Sequence, residues 1–120
     1  MAKIITLNTH SDGRGKLTVI DRTFPFEVKR IFYIYQATAK RGGHRHKKNY
    51  QALISVNGSC EVFVNDGESK STYFLDSPEK CLLLDPKDWH TMDKFTPDAV
   101  LLVFASEHYD KSDYIDEEYT

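Results

Sequence analysis

The chain has 120 residues, of which 40% are hydrophobic, and it carries a formal net charge of −2. This length suits one domain with a single core, and a weakly acidic chain argues against nucleic acid as the main partner. The sequence contains no apolar run of about 18 residues and no charged-then-apolar leader, so we expect a cytoplasmic protein that does not enter membranes.

Short runs of β-branched and aromatic residues alternate with turn residues, and no window keeps a helical period. We therefore predict an all-β fold with strands, in chain order, at 3–7, 17–21, 28–36, 44–56, 60–64, 71–75, 81–84 and 99–105. Asn57-Gly58 is the strongest hairpin signal between them. Evenly spaced strands of this kind indicate a single jelly-roll or barrel domain over residues 1–120, in which closure removes exposed sheet edges. Residues 106–120 are predicted to form a surface turn or a short helix.

The segment from Arg41 to Lys48, with the sequence RGGHRHKK, is the most informative part of the chain. In a strand, His44 and His46 project from the same face, roughly 7 Å apart. Two imidazoles at this spacing suit metal binding with a third ligand, or acid and base catalysis on a small substrate. The basic residues around them favour a small anion over a polymer as the ligand.

Two motifs resemble those of the cupin superfamily. The first is a glycine followed by His-x-His, an acid and a second glycine, matched here by Gly42, His44, His46, Gln51 and Gly58. The second is a proline turn followed by histidine, matched by Pro86-Lys87-Asp88-Trp89-His90. In metal-binding cupins the three histidines and the acid are the ligands, but Gln51, or Tyr50 if a bulge shifts the register, stands where the carboxylate belongs. The departure points away from a metal, because a neutral amide adds no charge to offset a divalent cation.

A narrower resemblance covers nearly the whole chain and is to the nucleotide-sugar 3,4-ketoisomerases. It is carried by ordered segments from Asp12-x-Arg14-Gly15-x-Leu17 and Pro25-Phe26-x-x-Lys29-Arg30, through the histidine segment, Asn57-Gly58-Ser59-Cys60 and Leu75-Asp76-Ser77-Pro78, to Trp89-His90-x-Met92 and Ala105-Ser106-x-x-Tyr109-Asp110. The resemblance implies a dTDP-linked 4-keto-6-deoxy sugar as substrate and no metal or organic cofactor. It also implies a homodimer in which the N-terminal strands, residues 1–21, are exchanged between subunits.

Moving a ketone from C4 to C3 requires a base for the C3 proton, an acid for C4 and donors to the two oxygens. We assign His44 and His46 as the acid and base pair, since histidine titrates near neutral pH. Tyr33 is the candidate catalytic phenol, and Tyr35 shares its strand face; pairing of their strand beside 44–56 would bring a phenol to the imidazoles. Alternatively, both tyrosines have no catalytic role and simply pack in the core or at its rim.

The remaining candidates are substrate-binding residues. Arg41 suits the pyrophosphate of a nucleotide sugar, because its planar guanidinium can bind two phosphate oxygens at once beside a flexible Gly-Gly turn. His90 and Trp89 are expected at the barrel mouth and Gln51 beside the histidines. Arg14 and Lys29, from the N-terminal segments of the resemblance, are expected to reach the nucleotide from the partner subunit.

Three alternatives remain open at this stage. A metal-dependent cupin enzyme would contain stoichiometric metal and lose activity with a chelator. A non-catalytic sugar-binding cupin would bind the nucleotide sugar without exchanging the C3 proton. A dTDP-sugar 3,5-epimerase, which shares the Asp-x-Arg-Gly start, would also exchange the proton at C5.

Overall fold

A computed structural model describes residues 2–120, which form β-strands and one 3₁₀ turn. In chain order the strands are β1 (Lys3–Thr6), β2 (Asn8–Asp12), β3 (Gly15–Val19), β4 (Arg30–Tyr35), β5 (Arg41–His46), β6 (Gln51–Asn57), β7 (Cys60–Asn65), β8 (Lys70–Leu75), β9 (Lys80–Leu84), β10 (Trp89–Asp93), β11 (Val100–Ala105) and β12 (Tyr114–Ile115); the 3₁₀ turn is Lys111–Asp113. The prediction of an all-β fold is confirmed. None of the described residues belongs to a helix long and apolar enough to span a membrane.

Two five-stranded antiparallel sheets form the body of the protein, with strand orders β1-β9-β6-β11-β4 and β12-β5-β10-β7-β8. Successive side chains along each strand point alternately toward the other sheet and away from it, because the side chains of a pleated strand have a period of two residues. The core between the sheets is aliphatic and includes Leu53, Leu82 and Leu101 from the first sheet and Val62 and Leu75 from the second. This arrangement is the jelly roll that the strand pattern predicts.

A second hydrophobic cluster covers the outer side of the first sheet. Ala52 and Ile54 of β6 are buried there with Leu83 of β9, and Phe24 and Phe26 from the β3–β4 connection pack over them. The edge strand β4 lies beyond this cover, and its outward side chains Ile31, Tyr33 and Tyr35 are exposed. The first sheet therefore carries an uncovered aromatic and aliphatic face along β4, formed by Ile31, Tyr33 and Tyr35 and called the β4 face below.

The predicted strand 44–56 is wrong as one element, because residues 47–50 separate β5 in the second sheet from β6 in the first. Polar side chains stabilise this crossing. The Asp113 carboxylate accepts hydrogen bonds from the backbone N–H groups of Lys47 (3.2 Å) and Lys48 (2.8 Å). The buried Asn49 side chain accepts from the N–H groups of Ser106 (3.1 Å) and Glu107 (3.2 Å). These partners lie far along the chain, so local patterning gives no sign of the break.

The hairpin predicted at Asn57-Gly58 is also wrong, although the turn itself exists. Gly58 has a positive φ of 62°, yet β6 and β7 on its two sides belong to different sheets. The turn packs against the loop before β11: Asn57 donates to the Asp98 carbonyl at 2.9 Å, and a Cβ on Gly58 would lie 2.7 Å from the Ala99 α-carbon. A positive φ is required in a turn between sheets as much as in a hairpin.

Three strands were not predicted from the sequence. Strand β2 is entirely polar, β10 follows a proline turn, and β12 has two residues.

Strand β1 pairs with β9 of the same chain, whereas β2 and β3 pair only with each other and form a separate two-stranded sheet. Leu17 of this hairpin is 60% exposed.

Candidate active site

The candidate active site is a cleft between the two sheets, on the side where β4 and β5 lie. It has a volume of about 170 Å³ and is lined by Phe32, Ile34, Arg41, Gly42, His44, Gln51, Leu53, His90, Met92, Val103 and Tyr114. Apolar side chains form its floor, and the polar groups converge from β5, β6, β10 and β12. Pockets for drug-sized ligands usually measure about 300–1,000 Å³, so this cleft is smaller than a site that encloses a whole ligand of that size.

A β-bulge in β5 places the histidines. The pairing of β5 with β10 shifts between His90 and Thr91, where Gly42 and Gly43 adopt positive φ values of 87° and 83°. A Cβ on Gly42 would lie 2.9 Å from the His90 carbonyl oxygen, so only glycine permits this approach of the two strands. The glycine pair predicted as a turn is thus part of a strand, and its bulge sets His44 opposite His90.

Three imidazoles form one cluster, in which His44 and His90 line the cleft and His46 is buried beside them. The ring centroids lie 5.1 Å apart for His44 and His46, 5.2 Å for His44 and His90, and 6.4 Å for His46 and His90. Burial lowers the pKa of His44 to about 4 and that of His90 to about 3. Burial also lowers the pKa of His46, against the opposing effect of the Asp113 carboxylate. All three rings are therefore neutral near pH 7, and a neutral imidazole can accept a proton.

This burial predicts a pH-dependent stability. In the unfolded chain a histidine titrates at about 6.5, so between that pH and about 4 the unfolded state binds more protons than the folded state. The free energy of unfolding therefore falls as the pH falls through this window. We expect a lower Tm at about pH 5 than at about pH 7, and a smaller difference in His44→Asn. Equal Tm values for the wild type at both pH values would contradict neutral, buried imidazoles.

Asp113 completes the histidine pair and was not predicted from the sequence. Its carboxylate lies 2.9 Å from Nδ1 of His46, and both side chains are buried. A carboxylate can only accept, so Nδ1 of the neutral ring carries the hydrogen and Nε2 carries the free lone pair. Among the described residues, no group hydrogen bonds with this buried Nε2. His46 is thus oriented with an available basic nitrogen.

Tyr114 was likewise not predicted. Its ring centroid lies 4.8 Å from that of His44 and 4.6 Å from that of His46, and its side chain lines the cleft. It stands on β12, which pairs with β5 so that Tyr114 is opposite His46. In the sequence, the only sign of this role is that Tyr114 follows the acidic residue Asp113, in a segment that has no strand or helix periodicity.

Arg30 is a third residue that sequence analysis missed. Its guanidinium lies over the rings of Phe32, at 5.4 Å, and Tyr109, at 5.7 Å, and its charge lowers the pKa of His46. Its buried Nε has no hydrogen-bond partner among residues 2–120. The site therefore combines a neutral histidine cluster with a nearby cation that no described carboxylate neutralises.

Several predicted residues meet in the cleft. Arg41, Gln51 and His90 line it together with His44. Gln51 is 4% exposed. Nδ1 of His90 lies 3.0 Å from the carbonyl oxygen of Asp88. A carbonyl oxygen can only accept, so the hydrogen of the neutral ring is on Nδ1.

Other predicted residues do not reach the cleft of their own chain. Strand β4 pairs with β11 rather than with the histidine strand, and its cleft-facing side chains are Phe32 and Ile34. Tyr33 and Tyr35 share a face, as their parity predicts, but it is the β4 face, where they are 61% and 59% exposed. The expectation that pairing brings these phenols beside the imidazoles is therefore wrong within one chain.

The last three predicted residues lie outside the cleft lining. Trp89 donates its indole N–H to the Asp116 carbonyl at 3.0 Å, so it contacts the C-terminal segment rather than the cleft. Lys29 is exposed before β4. Arg14 is exposed at the β2–β3 turn and forms a 2.7 Å ion pair with Asp12.

The residues of the cleft do not fit the metal site of metal-binding cupins. Gln51 stands in place of the acidic ligand, and its neutral amide adds no charge to offset a divalent cation. Within residues 2–120, no three or more His, Cys, Asp or Glu side chains are grouped as metal ligands.

Known proteins resemble this chain along most of its length. The family model described as "FdtA: WxcM-like, C-terminal" matches residues 1–120. The TDP-4-oxo-6-deoxy-alpha-D-glucose-3,4-oxoisomerase of Aneurinibacillus thermoaerophilus is 41% identical over 117 residues, which cover 94% of this chain and 84% of the relative.

Two solved structures share the fold. A 3,4-ketoisomerase from Helicobacter canadensis has a TM-score of 0.91 at 38% identity, over 97% of this chain and 90% of that chain. A mutant of the 3,4-ketoisomerase QdtA from Thermoanaerobacterium thermosaccharolyticum, in complex with TDP-4-keto-6-deoxyglucose, has a TM-score of 0.92 at 36% identity, over 97% and 87% of the two chains. The resemblance inferred from the sequence is thus confirmed, and the chain belongs to the WxcM-like, C-terminal family, among whose relatives are the sugar 3,4-ketoisomerases.

Proposed function

We propose that the protein is an isomerase that converts dTDP-4-keto-6-deoxyglucose to a dTDP-3-keto-6-deoxyhexose, a precursor for dideoxyamino sugars. The observation that carries the proposal is the neutral imidazole pair of His44, which lines the cleft, and His46, which lies beside it with Nε2 unpartnered and Nδ1 bonded to Asp113. The substrates of the relatives described above support the same sugar.

The reaction is a proton transfer between neighbouring carbons. One imidazole removes the C3 proton, the C3 electrons form a C3=C4 double bond, and the resulting enediol then takes a proton at C4 while the ketone forms at C3. His44 and His46 are the acid and base. Their depressed pKa values keep both rings neutral at pH 7, so the ring that takes the C3 proton becomes an imidazolium; a proton then passes between the two rings, and the second ring delivers one to C4.

Incubation in deuterated water with site-resolved NMR tests this function. We expect deuterium at C4 of the product and at C3 of recovered substrate, with the C5 hydrogen unchanged. Substrate incubated without enzyme is the control for spontaneous exchange. Deuterium at C5 would indicate a 3,5-epimerase instead, and saturable binding without any exchange would indicate a non-catalytic binding protein.

Arg41 is proposed to bind the diphosphate. It lines the cleft from the start of β5, and its side chain forms no ion pair among residues 2–120. A phosphate contact is present in both the ground state and the transition state, so we expect Arg41→Ala to raise KM more than it lowers kcat. Calorimetric titration with dTDP measures the contact directly. An unchanged Kd for dTDP would contradict this role.

The enzyme is proposed to be independent of metals and organic cofactors. We expect full activity after exhaustive chelation and dialysis, because the proton transfers use only imidazole and hydroxyl groups. Gln51→Glu restores the acid of the metal-binding cupins, and we expect it to recruit metal and lower turnover by occupying imidazole lone pairs. Activity that is lost on metal removal and regained on its return would support a metalloenzyme.

A homodimer with exchanged N-terminal strands is proposed as the active form. The β2–β3 hairpin is paired to neither main sheet, Leu17 is exposed on it, and the uncovered β4 face presents Ile31, Tyr33 and Tyr35. The cleft of one chain is too small for the whole substrate. The partner subunit is therefore proposed to supply further contacts, from Arg14 on its hairpin and from Lys29.

Mixed dimers test the exchange. If Arg14 of one subunit serves the cleft of the other, Arg14→Ala and His44→Asn subunits mixed through unfolding and refolding regain activity that neither has alone. Light scattering first establishes the dimer. A monomer of full activity would contradict the proposal, as would a mixture with only the summed activity of its parts.

A further inference from the structure

Tyr114 lines the cleft, and its hydroxyl group has no hydrogen-bond partner among residues 2–120. Among the described residues, no backbone or side-chain group hydrogen bonds with it, although its ring lies against both His44 and His46. Tyr73 and Tyr119, by contrast, donate their hydroxyls to the carbonyls of Ala2 and Lys87. A half-buried phenol usually finds a partner, so the Tyr114 hydroxyl is placed to bond with a molecule in the cleft.

The segment that carries Tyr114 is fixed on both sides. On one side, Asp113 is bonded to Nδ1 of His46. On the other, Trp89 donates to the Asp116 carbonyl at 3.0 Å and the Tyr119 hydroxyl to the Lys87 carbonyl at 2.8 Å. The ring is therefore positioned by hydrogen bonds that do not involve its own hydroxyl, as a group that contacts substrate requires.

The proposed isomerisation moves two kinds of proton. One passes from C3 to C4, which is the task of the imidazoles. The other must pass between the oxygens, because O4 begins as a ketone and ends as a hydroxyl, whereas O3 begins as a hydroxyl and ends as a ketone. A single group that gives a proton to O4 and takes one from O3 completes the balance with no other reactant.

We propose that Tyr114 is a catalytic residue whose hydroxyl carries the proton between O4 and O3, an inference that rests on the proposed function. As the C3–H bond breaks and C3=C4 forms, the electrons of the C4=O bond move to O4, which takes the phenol proton. When C4 takes its proton, the O3–H bond breaks, C3=O forms, and the phenolate takes the proton back. Tyr114 ends the cycle unchanged.

Tyr114→Phe isolates the hydroxyl, because it keeps the ring that packs on the histidines. We expect kcat to fall about 10²-fold or more, with KM and the Kd for dTDP within a few-fold, as for loss of a general acid and base. Tyr109→Phe is the matched control: its ring lies 5.8 Å from that of Tyr114, it is 65% exposed, and it lines no part of the cleft. We expect near-normal turnover for this variant.

Fluorinated tyrosines introduced site-specifically at position 114 supply a second measurement. Fluorine lowers the pKa of the phenol while changing its size little, so a proton carrier predicts that log kcat varies with the phenol pKa and that the alkaline limb of the pH profile moves down. A residue that only packs against the imidazoles would show neither effect.

The outcomes separate this inference from the function on which it rests. A wild-type enzyme that forms product labelled at C4, with Tyr114→Phe reduced and Tyr109→Phe normal, supports the proton carrier. Tyr114→Phe with kcat within about threefold of an active wild type overturns it and leaves the function intact. A wild type that leaves the substrate unchanged overturns the function and this inference together.

Discussion

Replacing His44 or His46 by asparagine is expected to lower kcat about 10²-fold or more while leaving the Kd for dTDP within a few-fold. Asparagine keeps a polar side chain but has no titratable nitrogen. We therefore expect the substitution to abolish proton transfer by that side chain and to preserve dTDP binding. His108→Asn is the matched control, since this imidazole is exposed and lies outside the cleft lining. Near-normal turnover in either cleft variant would remove that residue from the acid and base pair.

Deuterium exchange divides the two histidines by role. The variant that lacks the C3 base loses both product formation and exchange at C3 of the substrate. The variant that lacks only the C4 donor still exchanges the C3 proton while it forms product slowly. Because His46 is buried and bonded to Asp113, the Tm of its variant is measured alongside, so that a loss of fold is not taken for a loss of chemistry.

The second large effect is expected for Asp113→Asn, with kcat lowered by about 10²- to 10⁴-fold. The carboxylate fixes the hydrogen of His46 on Nδ1 and leaves Nε2 basic, whereas an amide can present its N–H₂ to the ring and favour the other tautomer. Since the carboxylate raises the pKa of His46, its loss also moves that pKa further down. NMR titration of the imidazole measures the pKa independently of turnover.

Asp116→Asn is the control for this change. Asp116 is exposed and acts on the histidines through its charge, which raises the pKa of His44. We expect a small effect on kcat from this variant. Equal losses in Asp113→Asn and Asp116→Asn would mean that overall negative charge, and not the hydrogen bond to Nδ1, governs His46.

The sequence predicts the fold and the histidine pair for the same reason: both depend on local periodicity. Alternation of apolar residues indicates strands, and the i, i+2 spacing places His44 and His46 on one face. Local parity also places Tyr33 and Tyr35 together, but it does not tell which face of β4 meets the cleft. The alternate set, Phe32 and Ile34, is equally apolar and takes that position.

The residues that local patterning misses are those brought in from a distance. Asp113 is 67 residues from His46 in sequence, and its segment has no period from which an element could be predicted. Tyr114 lies in the two-residue strand β12, which forms by pairing with the edge of β5. Such contacts depend on tertiary pairing, so they become visible only when the strand order is known.

The position of Asp113 late in the chain has a consequence for synthesis. All strands of the two main sheets except β12 precede residue 106, yet the partner of His46 follows them. A nascent chain interrupted between these points would contain every strand of the two main sheets except β12, but would lack both the Asp113 carboxylate and the Tyr114 ring beside His46. If these residues act as proposed, incomplete translation products would turn over substrate far more slowly than chains whose translation has passed residue 114.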